Sequence, residues 1–111
     1  MTAYTAAVTS LMKRAVKIDE VTGIGLFAGQ CDVSNYNTTL AEIKGITGKF
    51  KSIIAVVSQG ASDTGWVPQW ETASGAFQMW EGNYDAADGP LQEASVDDDT
   101  GAFEFVAIGL V

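Results

Sequence analysis

Residues 101–111, GAFEFVAIGLV, constrain the fold more than any other segment. Phe103, Phe105 and Ala107 fall on one face of an extended strand, and Glu104 falls on the other. That is the alternation of a half-buried strand. From Val106 onward the pattern fails, because Val106, Ile108 and Leu110 take the face that Glu104 began. A strand that is apolar on both faces needs cover on both. No apolar stretch here approaches the roughly 18 residues of a membrane span, so lipid is not expected to supply that cover. A two-layer domain offers it beneath a terminal helix or against another subunit. The segment therefore predicts a terminal strand locked into a sheet, with Val106, Ile108 and Leu110 as residues of self-association.

The rest of the chain reads the same way. Its length suits one domain. A hydrophobic fraction of 47% is too high for a disordered chain. Twelve glycines but only two prolines, with short apolar runs between Gly, Ser, Thr, Asn and Asp, indicate a mainly β fold. TGIGLFAGQCDV (22–33) reads as a strand loosened by glycines, and FKSIIAVVS (50–58) as a buried strand. WVPQW and AFQMWE flank ETASG as a hairpin. Pro68 cannot donate to a ladder and places its strand at an edge or a bulge. GNYDAADGP is a loop, LQEASV a short strand and DDDTG a turn. The expected architecture is a small β-sandwich over 21–111, preceded by a helix or docking arm over 1–20.

That N-terminal segment shows helical spacing. In TAAVTSLMKRAVKI (5–18), Val8, Leu11, Met12, Ala15 and Ile18 gather on one side and Lys13, Arg14 and Lys17 on the other. An amphipathic helix is expected, to cap the core or dock on a partner. An extended arm is the rival, because Thr and Val are frequent here. Thr39-x-x-Glu42 has the form of a capping box, predicting one helical turn that ends near Gly45.

Charge is unevenly spread. All six basic residues lie in the first 51 positions, where four acids leave a balance of +2; the remainder carries ten acids and no base. The acidic half would repel phosphates, so no direct nucleic acid partner is expected. Separated charge suits a partner, or a second copy, of opposite sign, or serves solubility alone. With no basic region followed by an apolar core at the N-terminus, no secretory leader is expected.

The missing histidine excludes Ser-His-Asp and Cys-His catalysis and histidine metal sites. Asp97, Asp98 and Asp99 are consecutive, which does not fit the alternate spacing of a calcium loop and suits a charged turn closed by Thr100-Gly101. Cys31, the sole cysteine, is expected as a small buried residue. No enzyme activity, metal or cofactor is expected. Trp66, Trp70 and Trp80 lie within 15 residues. They form a core cluster, a protein interface or a stacking platform for sugars; the last would make the chain a carbohydrate-binding module.

Three blocks in order carry a resemblance: GQCDVSNYNTTLAEIKGITGKFKSIIAVVSQ, then GWVPQWETASGAFQMWE, then PLQEASVDDDTGAFEFVAIGLV. Their succession over about residues 29–111 resembles the small decoration, stapling or head cement proteins of tailed phage capsids, nearest those of epsilon15-like Salmonella phages. The resemblance implies a jelly-roll-like sandwich on the outer surface of the virion, made in the host cytoplasm. It implies binding across capsomer junctions as dimers or trimers, tying neighbouring major capsid subunits together. A dimer is favoured here. Lys13, Arg14 and Lys17 are the residues expected to touch the capsid, because a basic arm reaches acidic patches.

Overall fold

The computed structural model describes residues 3–10, 12–82 and 91–111, so the loop expected over GNYDAADGP lies, but for Gly82, outside them. The described chain forms β1 (Thr5–Thr9), β2 (Val16–Lys17), β3 (Ile24–Asn35), α1 (Lys44–Thr47), β4 (Ser52–Ser58), β5 (Val67–Glu71), β6 (Ala76–Gly82), β7 (Leu91–Glu93) and β8 (Gly101–Leu110). The fold is mainly β, with two antiparallel sheets. The larger runs β1-β3-β8-β4, with β2 also on β3; the smaller runs β5-β6-β7.

β3 and β8 are the spine of the larger sheet. They pair over ten positions, from Ile24 opposite Leu110 to Val33 opposite Gly101. The inward residues of β8 alternate as the sequence predicts, with Phe103, Phe105 and Ala107 buried, and Phe27, Cys31 and Val33 of β3 are buried beside them. The smaller sheet lays Phe77 and Met79 of β6 against them. The Phe77 ring meets Phe103 edge-on at 4.7 Å and lies 6.3 Å from Phe105. Burying such side chains stabilises the fold by about 1.5–3 kcal/mol each. One glycine of β3 is there for room: a Cβ on Gly25 would fall 2.2 Å from a methyl of Val111.

Two tyrosines fasten the sheets together. Among the described residues β7 covers β6 only from Trp80 to Gly82, and no other strand lies along the first half of β6 on that side. The Tyr4 hydroxyl fills the gap: it donates to the Phe77 carbonyl at 2.9 Å and accepts from the Phe77 amide at 3.3 Å. The Tyr36 hydroxyl meets the Met79 backbone and donates to Glu93. The two rings touch edge-on at 5.8 Å. Side chains from the larger sheet thus do the work of a missing strand in the smaller one.

Three expectations need correction. The segment 5–18, of which Leu11 lies outside the described residues, takes the extended alternative instead of a helix, as β1, a bend and β2 in the same sheet as β3. Its Thr and Val residues lose little in a strand. The burial of β1 alternates with period two, with Ala6 and Val8 turned toward the core. The helical turn exists but begins at Lys44, after Ile43, with no side-chain cap. Thr39 and Glu42 are not its capping box; the Thr39 amide bonds the Asn37 side chain. The third correction concerns β4, expected to be buried. It is an edge strand, with Ile54 and Val57 exposed at 54% and 60%. Its apolar run is broken by a register shift between Ile53 and Ala55, which places Ile54 in a bulge. β5 is also an edge, as Pro68 requires.

Candidate functional site

Opposing residues of an antiparallel pair point to the same side of the sheet. The outward side of the larger sheet can therefore be read from its registers. Val106 lies between Ala28 and Val57, Ile108 between Leu26 and Ala55, and Leu110 between Ile24 and Ser52. β2 widens this face by setting Val16 beside Leu26, and Ile18, whose amide bonds the Ile24 carbonyl at 2.8 Å, beside Ile24. The result is a four-strand apolar surface with Ser52 as its polar member. Val16, Ile18 and Val57 are more than half exposed, and Val106 and Leu110 more than a third.

This resolves the broken alternation at the C-terminus. Burial along β8 alternates to its last residue; only the hydropathy does not. Val106, Ile108 and Leu110 do come together, on one face, as expected. No helix among the described residues covers them, because the expected helix is strand. Val16, Leu26, Ala28 and Val57 complete the surface and escape sequence reading. The signal for Val57 was present in the uncharged run SIIAVVS, but such a run looks the same in a central strand as at an edge.

The apolar face is bounded by charge of opposite sign at its two ends. Where β8 begins, Glu104 lies opposite Gln30, and Asp32 lies opposite Ala102. Asp63 accepts from the Ala102 amide at 3.0 Å. Desolvation first, then the charges of Asp99 and Asp63, push the Asp32 carboxyl above its ordinary value. Where β8 ends, Arg14, Lys17 and Glu20 line a depression with Val111, and the Lys51 amide bonds the Leu110 carbonyl at 2.7 Å. Lys49 donates to the Lys13 carbonyl at 3.1 Å and stands 5.3 Å above the Phe27 ring. Lys13, Arg14 and Lys17 are all exposed. Lys17 is 3.9 Å from Glu20, an exposed pair of little energy.

The three tryptophans do not share a face. Trp70 opposes Phe77 and, with Trp66, packs against the core; Trp80 opposes Val67 on the other side of the smaller sheet. The ring nitrogens of Trp70 and Trp80 are buried without a hydrogen-bond partner among the described residues. The three therefore form no common stacking platform. Cys31 is fully buried, and its thiol is pushed up to about 12 by burial first and by Asp32 second. A thiol so disposed is a poor nucleophile. In the acidic turn, Asp98 accepts from the Ser95 amide and Asp99 from the Gly101 amide, so both carboxylates shape the chain locally. Among the described residues, no group of three or more His, Cys, Asp or Glu is placed to hold a metal ion. No helix among them is long and apolar enough to cross a membrane. Compared with known proteins, the chain matches no family model, no curated protein and no solved structure.

Proposed function

We propose that this chain is a structural decoration protein of a tailed phage head, docking on the outer capsid surface and tying neighbouring major capsid subunits together. The observation that carries the reading is the open apolar face of the larger sheet, with acidic residues at one end and a mainly basic group, Glu20 among it, at the other. A monomer gains nothing from exposing such a surface, and faces of this kind mark protein contacts. In this reading a second copy covers Val106, Ile108 and Leu110, and the basic end with Lys13, Arg14 and Lys17 meets acidic patches of the shell. The dimer is the staple. Each contact is weak, but a rigid unit that holds two subunits leaves only when both contacts break together. Binding the expanded lattice alone also stabilises it by mass action.

The test is cosedimentation of the purified protein with bare, expanded heads of an epsilon15-like phage. Saturable binding that is weakened by combining Lys13→Glu with Lys17→Glu supports the proposal. Failure to sediment with the heads at any protein concentration overturns it.

A further inference from the structure

We infer that the free edge of β1 is a docking groove for an extended chain, which joins the larger sheet as an added antiparallel strand with its acidic residues toward Lys44 and Lys49. The inference goes beyond the shell reading and stands on the edge alone, whichever protein supplies the strand.

The backbone directions can be derived. Ala28 of β3 turns its amide and carbonyl toward the β1 and β2 side, where the amide meets Met12 Sδ at 3.2 Å and the carbonyl accepts from Ser10 Oγ at 2.6 Å. Alternation points Gln30 and Asp32 the same way, at their partners Thr9 and Ala7. Ala6 and Val8 therefore aim their amides and carbonyls away from β3. Among the described residues no backbone group answers them. A row of such groups is a template for another strand.

The space beside them is shaped for one. Tyr4, Ala6 and Val8 form one wall of a cavity of about 420 Å³, and the segment 41–45 forms the other. The segment is held in place at its middle and its end: the Ile43 amide bonds the Gly75 carbonyl at 2.8 Å, and Gly45 packs against the Val8 side chain. A second depression shares Val8 and Gly45 and carries the groove on to Lys49. Charge orients the occupant. Lys44 and Glu42 line the groove, and Lys49 stands at its far end, where β1 finishes, with its ammonium on the Lys13 carbonyl. An antiparallel strand, the arrangement of every pair in this sheet, then places its N-terminal end by the lysines. Acids are favoured there. The opposite edge, β4, is blunted by its bulge.

The test uses the full, isotopically labelled chain and a blocked synthetic peptide, Asp-Glu-Val-Thr-Val-Thr-Val, followed by NMR and amide hydrogen exchange. Its controls are the same residues in reverse order and a copy N-methylated at alternate amides. The expected result is slowed exchange at Ala6 and Val8. Binding falls by up to about tenfold for the reversed peptide, the value of two exposed ion pairs. It is lost for the N-methylated copy and for Val8→Pro, which removes an edge amide. The N-methylated peptide leaves the protein untouched, so it decides the question even where Val8→Pro does not fold. No added protection at Ala6 and Val8, or equal binding by the N-methylated copy, overturns the inference.

Discussion

Replacing Tyr4 by phenylalanine removes one oxygen and keeps the ring. The loss strands the amide and carbonyl of Phe77, both buried with no strand to serve them. Leaving such groups unpaired costs about 1–3 kcal/mol. Urea unfolding of Tyr4→Phe is expected to show that loss, with an unchanged dependence on denaturant. The same hydroxyls make the fold sensitive to alkali. Burial raises Tyr4 and Tyr36 well above 10, and raises Cys31 from 9 to about 12. A raised folded value means that the unfolded chain loses its proton first. The associated stability is complete below pH 9 and falls as pH rises, from 9 for Cys31 and from 10 for the tyrosines. Urea midpoints measured between pH 8 and pH 11 are expected to fall in that order, and less steeply in Tyr4→Phe.

At the scale of elements, the larger sheet has two unlike faces, and substitutions separate them. Phe105→Ala opens the core beneath Phe77 and is expected to cost about 3–5 kcal/mol. Val57→Ser changes an exposed side chain on the opposite face and is expected to alter monomer stability by no more than about 0.5 kcal/mol. Ile108→Asp belongs to the same outward face, and light scattering is expected to show a lower oligomer mass with the fold kept. These faces were partly legible in the sequence. The alternation of Phe103, Phe105 and Ala107 located the core strand, and its failure at Val106 located the outward face. The edge position of β4 was not legible, because a bulge and an apolar run together look like burial. The strand nature of residues 5–9 was hidden for a different reason: five apolar residues of 5–18 happen to recur at helical spacing, and only pairing with β3 decides between the periods. The tyrosine clasp had no local signal, since it joins positions 73 residues apart.

At the scale of the whole molecule, 50 by 30 by 24 Å in extent, the charge is polarised as well as negative. The two contact modes of the proposed staple should therefore answer salt in opposite ways. Raising salt from about 50 mM to about 500 mM shortens the screening length and is expected to weaken capture by heads. Burial of the apolar face is expected to persist, so the oligomer mass should hold over the same range. The sheet order also sets a schedule for synthesis. β3 is complete by residue 35, yet its long partner is β8, which is not made until residue 110. Tyr4 waits in the same way for Phe77. β1 and β2 can pair with β3 as soon as it emerges, but the edge of β3 that faces β8 stays open until the last residues are made, in a nascent chain whose first 51 residues carry every lysine and arginine.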